Sequence, residues 1–549
     1  MTKPIYLIFL LTLLFSSFHQ AEALSIQYGS IIDSNSSKAL IQYYGIDKKQ
    51  NFICSITTLK CSLTKKAALP VTSKVEKKFT VPPELKGTNR GRFTFSSDGL
   101  FLAYYVSGNE LNPNRSYILR NMNTGKEYTL SQSLSYWDLV DDEQKVFTFS
   151  PDNKKLIYMD DSSGYMSLYI VDIPSLDTTL TSVRLPTSTL QVSDFLFTTN
   201  QVLYYVGNTK ENPHTWSLYR YVFQTKKTTI IAKNVSYVNS IKNVGEKVIF
   251  NQLQKEGYGP ALYNTVTKKV QHFTIPQISS TPSLVNEQVV ESHDLHAVLM
   301  TPTKKGTKST SYPLVIWLHG GPYRQTSLKY HPYHSYGIYD SLLELLRKNN
   351  VIVLKLDYPG SYGYGRNYAE SIKGSIGTND VASVMNAIAY AKQKYNIENV
   401  YLMGNSYGGY LSFKTLVEHP SSITGVMSIN GVTDWESMLT DMQISIFNTQ
   451  FNGLPSPSTQ SLYDQASIIN KISAIDTQKI SIIAGEADRT IPFSQATNLY
   501  ALLKNAHKNV TLTSYKGEDH VYRHRTTLVS LCNEMFTLVN KKVDPSCNK

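Results

Sequence analysis

The chain has 549 residues, of which 41% are hydrophobic and 17% are charged, so it can form two or more globular domains and is too apolar for general disorder. The formal net charge is +12, but the basic residues are scattered among acidic ones and form no long runs. Nucleic acid is therefore not predicted as a partner.

The first 23 residues predict a secretory signal peptide. Lys3 precedes an apolar run over residues 5–15, and Ala21-Glu22-Ala23 has the small residues of a cleavage site. The alternative is an N-terminal membrane anchor, but this run is shorter than the ~20 apolar residues that span a bilayer. No later segment forms an apolar run of that length. We therefore expect a secreted or periplasmic protein without stable membrane insertion.

Residues 25–283 predict an all-β domain, because short runs of strand-forming residues alternate with turns rich in Asn, Asp, Gly and Ser. The segments Phe93–Gly99 and Phe147–Asn153 each read as a strand and a tight turn that leads into a second strand. Repeats of about 45–55 residues are typical of four-stranded propeller blades. We predict a β-propeller of five to seven blades, with a β-sandwich as the alternative.

The four cysteines fall into two pairs that are close in sequence. Cys54 and Cys61 form one pair, and Cys532 and Cys547 form the other. Neither pair has the CxxC spacing or the neighbouring histidines of a zinc site. In an exported protein, this arrangement predicts two local disulfides.

Residues 285–549 predict an α/β domain, because apolar strands alternate with segments of helical periodicity such as Val381, Val384, Met385 and Ile388. This alternation is typical of a mostly parallel sheet that is covered by helices. Active groups in such sheets collect at the carboxyl ends of the strands. The predicted strands are Leu295–Thr301, Leu314–Leu318, Val351–Asp357, Val400–Met403, Val426–Ile429, Ile480–Ala484 and Val510–Tyr515.

The segment Gly404–Gly408 matches the G-x-S-x-G pattern of a nucleophile elbow. It directly follows one predicted strand and directly precedes a helical run, which is the setting that such an elbow requires. A serine in this turn projects its hydroxyl from the sheet. Ser406 is therefore the predicted nucleophile.

A serine hydroxyl needs a histidine that takes its proton and a carboxylate that orients the histidine. Asp488 and His520 follow Ser406 in the chain order of α/β-hydrolases, and each lies just beyond a predicted strand. Glu486 is an alternative acid, and Asp488 could instead cap a helix. His524, expected inside the last helix, is the alternative base.

The segment His319-Gly320-Gly321-Pro322 follows a predicted strand at the place of an oxyanion loop. The tetrahedral intermediate of acyl transfer carries a negative oxygen that needs preorganised N–H donors. We predict the backbone N–H groups of Gly321 and Tyr407 as these donors. His319 is expected to brace the loop and not to act as a base.

Three linked motifs resemble the prolyl oligopeptidase family of serine peptidases, closest to its acylaminoacyl-peptidase and dipeptidyl-peptidase-like branches. These motifs begin at His319, Asp357 and Gly404. The resemblance implies a propeller that caps a hydrolase domain, the cleavage of short peptides, and a triad of Ser406, Asp488 and His520. The chain departs from the family where Asp357-Tyr358-Pro359-Gly360 replaces Asn-Tyr-Arg-Gly, and where Arg489 follows the catalytic aspartate immediately.

The predicted function is thus an exported serine peptidase that hydrolyses short peptides through an acyl-enzyme on Ser406. A serine esterase of small acyl esters is the alternative, and a propeller binding module with an inactive hydrolase domain is a third reading. The paired glutamates with which dipeptidyl peptidases hold a free amino terminus are not evident; Asp141-Asp142-Glu143 is the nearest acidic cluster. We expect no cofactor and no metal. The sequence leaves the oligomeric state open.

Overall fold

The computed structural model describes residues 28–34, 38–45, 48–65, 79–86, 90–107, 115–133, 145–173, 182–186, 189–238, 241–254, 257–274, 286–292, 295–303, 310–442 and 450–548. The predicted signal peptide and the acidic cluster at 141–143 lie outside these residues.

The first half of the described chain forms five four-stranded antiparallel sheets, and each sheet uses consecutive strands. The twenty strands are β1 Tyr28–Ser34, β2 Lys38–Gly45, β3 Lys48–Ser55, β4 Cys61–Thr64, β5 Arg90–Phe95, β6 Phe101–Ser107, β7 Arg115–Asn121, β8 Glu127–Ser133, β9 Phe147–Phe149, β10 Lys155–Asp160, β11 Ser167–Asp172, β12 Ser182–Arg184, β13 Gln191–Thr199, β14 Val202–Thr209, β15 Asn212–Val222, β16 Lys227–Lys233, β17 Ile241–Val244, β18 Lys247–Gln254, β19 Gly257–Asn264 and β20 Lys269–His272.

The repeated Ser-x-Asp segments close the first hairpin of two of these sheets. The Ser96 hydroxyl donates to the Asp98 carboxylate at 2.6 Å, and Ser150 donates to Asp152 at 2.6 Å. Each carboxylate also accepts a backbone N–H two residues later, from Leu100 in the first case. This side-chain turn explains why the two segments share their sequence.

The five sheets are arranged as the blades of a propeller. The second sheet contacts the third, the third contacts the fourth, the fourth contacts the fifth, and the first packs against the fifth. Five separate four-stranded sheets are not the two facing sheets of a sandwich. The predicted propeller is therefore confirmed, and the described residues contain five of the predicted five to seven blades.

The second half contains an eight-stranded sheet in the order β21-β22-β24-β23-β25-β26-β27-β28. From β24 to β28 the neighbours are parallel, whereas β21 and β22 are antiparallel additions at one edge. The strands are β21 Glu287–Ser292, β22 Leu295–Met300, β23 Tyr312–Leu318, β24 Ile352–Asp357, β25 Ile397–Asn405, β26 Gly425–Ile429, β27 Lys479–Gly485 and β28 Val510–Tyr515. All seven predicted strands are present. The edge strand β21 was not predicted.

Eight α-helices accompany this sheet in the described residues. They are α1 His334–Lys348, α2 Arg366–Glu370, α3 Asn379–Lys394, α4 Tyr407–Glu418, α5 Trp435–Met442, α6 Gln460–Ala466, α7 Phe493–Asn505 and α8 Arg525–Leu538. Short 3-10 turns lie at Pro83–Leu85, Pro420–Ser422, Ile469–Ala474 and Pro545–Asn548. The fold class, a β-propeller followed by an α/β-hydrolase domain, is as predicted.

Both faces of the eight-stranded sheet are buried. Along β23, Ile316 packs into the core on one face, and its neighbours Val315 and Trp317 pack into the core on the other. A strand that is covered on both faces carries apolar residues at every position. This burial explains why the central strands are visible as continuous apolar runs in the sequence.

A third hydrophobic cluster joins the two domains. Trp216 of the fourth sheet stacks on Tyr362 of the hydrolase domain, with ring centroids 5.6 Å apart. Nearby, the Tyr237 hydroxyl lies 3.1 Å from His331 Nε2. This aromatic layer holds the propeller over the hydrolase domain.

Both predicted disulfides are present. Cys54 and Cys61 link the paired strands β3 and β4, and Cys532 and Cys547 link α8 to the last 3-10 turn. No helix in the described part of the chain is both long enough and apolar enough to cross a membrane.

We expect the double variant Cys532→Ser, Cys547→Ser to lose about 2–3 kcal/mol of unfolding free energy, because the bond closes a loop of 15 residues. Urea denaturation of the variant and the wild type measures this difference. The variant keeps the Cys54–Cys61 bond, so the reduced wild-type protein, which has lost both bonds, should be destabilised at least as much as the variant. Equal midpoints for oxidised and reduced protein would contradict the expectation.

Candidate active site

Ser406 lies in a sharp turn between β25 and α4. Its backbone has φ 57° and ψ −121°, a combination that L-residues adopt only under strain. Its N–H donates to the carbonyl of Ile429, which ends the neighbouring strand β26. Ser406 is partly exposed, while the residues on either side of it are buried. The turn therefore presents the serine at the carboxyl edge of the sheet, as the elbow motif predicts.

The sheet register brings the predicted oxyanion loop to the serine. Leu318, the last residue of β23, pairs with Gly404 on β25. A Cβ atom at Gly408 would overlap the Leu318 carbonyl group, so only glycine allows this approach. A Cβ atom at Gly320 would lie 3.0 Å from the Cβ of Ser406. The loop after β23 thus packs directly against Ser406, the predicted nucleophile.

The two predicted oxyanion donors, Gly321 and Tyr407, directly follow Gly320 and Ser406 in the chain. Tyr407 is the first residue of α4, where N–H groups have no intrahelical acceptor. Its phenol donates to the buried Asp380 carboxylate at 2.6 Å, which fixes the start of the helix. Gly321 has φ 125°, a conformation that favours glycine, and a cis peptide bond joins it to Pro322.

Asp488 and His520 meet at the ends of β27 and β28. His520 Nδ1 lies 2.7 Å from Asp488 Oδ2, and the Asp488 side chain is only 1% exposed against 18% for His520. The other oxygen, Oδ1, accepts the N–H groups of Thr490 and Ile491. The carboxylate therefore caps a turn with one oxygen and orients the histidine with the other, so both predicted roles coexist.

The alternative acid and base have other contacts. The Glu486 carboxylate accepts the Ser514 hydroxyl at 2.8 Å. His524 directly precedes α8 and is not inside it, contrary to prediction, because its extended backbone donates its N–H to the buried Glu518 carboxylate. The acid–base contact that is described joins Asp488 to His520.

Asn430, which the sequence did not single out, joins the acid and base loops. Its Oδ1 accepts the N–H of Gly485 at 2.9 Å and the hydroxyl of Tyr522 at 3.0 Å. Its Nδ2 donates to the His520 carbonyl at 3.1 Å. The sequence could have indicated Asn430 by its position, because it directly follows β26, the strand next to the elbow.

Tyr336 is a second residue that the sequence analysis missed. Its hydroxyl lies 3.0 Å from the Cβ position of Gly320, the same distance as Ser406 Cβ. The ring packs against His331, with centroids 5.0 Å apart. A phenol hydroxyl therefore flanks the space between the serine and the oxyanion loop. Tyr336 lies near the start of α1 and does not follow a strand, so the strand-end signal used for the other site residues does not apply to it.

His319 braces the oxyanion loop, as predicted. It is buried, its Nε2 lies 2.9 Å from the Ser361 hydroxyl, and its ring stacks on Tyr358 at 4.5 Å. The Tyr358 phenol also donates to the His319 carbonyl at 2.6 Å. Through these contacts the His319 ring supports the loop that follows β23. Among the described residues, no group of three His, Cys, Asp or Glu side chains could hold a metal ion.

Sequence comparison finds a family match within the C-terminal half. Residues 338–545 match the profile of the prolyl oligopeptidase family. The acylamino-acid-releasing enzyme of Rattus norvegicus is 27% identical over 261 residues, which is 45% of this chain and 34% of that enzyme. An uncharacterized peptidase of Bacillus subtilis is 28% identical over 234 residues, covering 40% of this chain and 33% of that protein. The matched region spans about a third of these curated relatives' length.

Solved structures extend the similarity to both domains. A puromycin-hydrolyzing peptidase of Mycobacterium tuberculosis superimposes with a TM-score of 0.69 and 14% identity, over 92% of this chain and 77% of that one. Dipeptidyl peptidase 4 of Porphyromonas gingivalis gives a TM-score of 0.65 and 13% identity, over 94% and 71%. At this identity the match shows the fold alone. The predicted resemblance to the prolyl oligopeptidase family of serine peptidases is confirmed for residues 338–545.

We expect Asn430→Gly to slow labelling of the protein by a fluorophosphonate about tenfold, because His520 loses one support and small misplacements of catalytic groups are costly. Glycine keeps the positive φ of 48° at this position. Asn452→Gly is the matched control, since Asn452 also has a positive φ and lies in an exposed turn. Equal labelling rates for the two variants would contradict the assigned role.

Proposed function

We propose that the protein is an exported serine peptidase that hydrolyses short peptides through an acyl-enzyme on Ser406. The observation that carries the proposal is the placement of a strained serine turn beside strand ends that hold the Asp488–His520 pair. The family match over residues 338–545 supports it. Relatives named as acylamino-acid-releasing enzymes support hydrolysis of an acylamino-acid-containing substrate.

In the proposed mechanism, Ser406 Oγ attacks the scissile carbonyl carbon while His520 Nε2 takes the hydroxyl proton. Asp488 accepts the Nδ1 proton of His520 in a hydrogen bond and stabilises the imidazolium. The N–H groups of Gly321 and Tyr407 donate to the oxyanion. His520 then protonates the leaving amine as the C–N bond breaks. Water then attacks the carbonyl carbon of the acyl-enzyme by the same steps, with His520 as the base, and this releases the acid and the free Ser406 hydroxyl.

An esterase of small acyl esters is the second candidate, because the same groups serve ester and amide chemistry. The Bacillus subtilis relative of the hydrolase domain, which is named as a peptidase, favours amides. A binding module with an inactive hydrolase domain would need a lost catalytic group. Turnover of peptidyl amides, of esters only, or of neither distinguishes the three.

Export is proposed from the signal peptide predicted at residues 1–23 and from the two disulfides. Disulfides persist in oxidising compartments and are rare in the cytosol. We propose a secreted or periplasmic location. No nucleic acid, cofactor or metal is part of the proposed function.

We expect Ser406→Ala to abolish covalent labelling by a fluorophosphonate and His520→Ala to slow it by several orders of magnitude, because triad members act as a unit. His524→Ala is the matched control, four positions along the chain, and should label at the wild-type rate. Gel fluorescence over time measures these rates. Labelling of the Ser406 variant, or a larger effect at His524, would refute the assigned roles.

The propeller is proposed to restrict substrates by size. The aromatic layer between the domains closes over the hydrolase domain, so substrates reach Ser406 through a propeller channel or a gap between the domains. The innermost strands of four blades line a cavity of about 990 Å³. Its lining contains the side chains of Phe95, Phe149 and Phe197. Only flexible chains should pass such openings.

We expect peptides of up to roughly 30 residues, a bound that the family resemblance suggests, to be cleaved while folded proteins are spared, because only flexible chains pass a propeller channel or a gap between the domains. Domain opening should in addition gate turnover. The test embeds one cleavable sequence in a folded carrier and compares it with the free peptide by mass spectrometry. The same carrier, unfolded by reduction of its disulfides, is the control. Equal cleavage of the peptide and the folded carrier would show that the propeller is not a filter.

A further inference from the structure

A propeller histidine is buried in the hydrolase domain. His214 lies on β15 of the fourth sheet, and its side chain is 0% exposed. Its Nδ1 lies 3.1 Å from the carbonyl oxygen of Thr326, and its Nε2 lies 3.1 Å from Glu291 Oε1. Both oxygens are acceptors, so each ring nitrogen must carry a proton to satisfy them. The geometry therefore calls for an imidazolium.

Two further hydrolase groups face the same ring. Tyr364 donates its phenol proton to Asp357 Oδ2 at 2.6 Å, and the phenol oxygen lies 3.1 Å from His214 Nε2. Asp357 Oδ2 itself lies 3.8 Å from His214 Nδ1, and both side chains are fully buried. The imidazolium is thus held between the carboxylates of Asp357 and Glu291.

The charges around His214 favour its protonated form. Burial lowers the pKa of His214, but the hydrogen bond to Glu291 and the charges of Asp357 and Glu291 outweigh it and raise the pKa above its ordinary value. On the outer side, His296 bonds the other oxygen of Glu291 and stacks on Tyr364 with centroids 4.0 Å apart. The titratable side chains that these contacts place around His214 are therefore Asp357, Glu291, Tyr364 and His296.

Asp357 connects this cluster to the oxyanion loop. Its Oδ1 accepts the Thr326 N–H at 2.6 Å and lies 3.3 Å from His319 Nε2. His319 is the first residue of the loop that packs against Ser406. Burial opposes ionisation of Asp357, yet the bond from His319, the charges of His214 and His319 and the bond from Tyr364 lower its pKa. A buried carboxylate thus touches the propeller through His214 and the active site through His319.

We propose that His214 is a positioning residue of the active site, which holds Asp357, and through it the His319-Gly320-Gly321 loop, in the geometry that receives the oxyanion. The inference rests on the proposed function. The oxyanion loop is then complete only when the propeller is docked, because one of its supports belongs to the other domain. Domain closure and catalytic competence are coupled through a single buried charge cluster.

The primary test compares His214→Gln with the wild type in kcat, in KM for a peptidyl amide and in fluorophosphonate labelling rate. We expect kcat and the labelling rate to fall about 10–100-fold, because displaced oxyanion donors cost this much, while KM changes little. The control is Asp161→Asn, which breaks another ion pair between the domains, the one with Arg366, and should keep both rates.

A second variant separates positioning from general loss of stability. Asp357→Asn removes the buried carboxylate and introduces the asparagine that the family usually carries. In the double variant with His214→Gln, a neutral pair replaces the charged pair, and we expect kcat to recover at least about threefold over His214→Gln alone, because no unpaired buried charge remains. Failure to recover would overturn the proposal even if His214→Gln folds poorly.

The wild-type protein provides a test without any variant. A histidine with a raised folded-state pKa keeps its contacts below its ordinary pKa of about 6.5 and loses them as pH rises through the raised value. We therefore expect the labelling rate to fall on the alkaline side, and this fall to be absent in His214→Gln. An alkaline limb that persists in the variant would overturn the proposal.

The outcomes distinguish this inference from the proposed function. Wild-type protein that neither labels nor cleaves amides contradicts the proposed function. Wild-type protein that reacts, together with His214→Gln and Asp161→Asn variants that both react at its rate, contradicts only the role of His214. A selective loss of kcat in His214→Gln supports it.

Discussion

The close contact between α4 and the end of β23 is the constraint on which the site depends. Gly408 brings the first turn of the helix against the Leu318 carbonyl group, and this approach sets the distance between Ser406 and the loop that begins at His319. Parallel pairing then extends the same edge to β27 and β28, where the acid and the base follow. Backbone packing therefore sets the relative positions of the candidate catalytic residues.

The sequence was sufficient to predict the local elements that place the candidate site. Each of the three predicted triad residues, Ser406, Asp488 and His520, closely follows an apolar run. A run that forms a strand buried on both faces can be recognised in a single sequence. The seven predicted strands and the two disulfides depended on the same kind of local signal. The resulting fold class agrees with the structure, and the Asp488–His520 contact is as expected.

The remaining features depend on contacts that no local pattern encodes. The edge strand Glu287–Ser292 carries polar residues on an exposed edge, so it lacks the apolar run that marks the central strands. Asn430 bonds two loops that are distant from it in sequence, one at Gly485 and one that holds both His520 and Tyr522. His214 lies 143 positions before Asp357 and in another domain, so only the folded chain reveals their proximity. Pairings of this kind require the tertiary structure.

The aromatic layer between the domains has a thermodynamic consequence. Trp216 and Tyr362 are stacked and buried in the closed protein, so separating the domains would hydrate apolar surface and increase the heat capacity. The free energy of opening would then vary with temperature along a curve and not a line. Because apolar association weakens on cooling, the open form would gain population in the cold as well as in the heat. Access to Ser406 would therefore change with temperature, and an Arrhenius plot of the turnover rate would be curved.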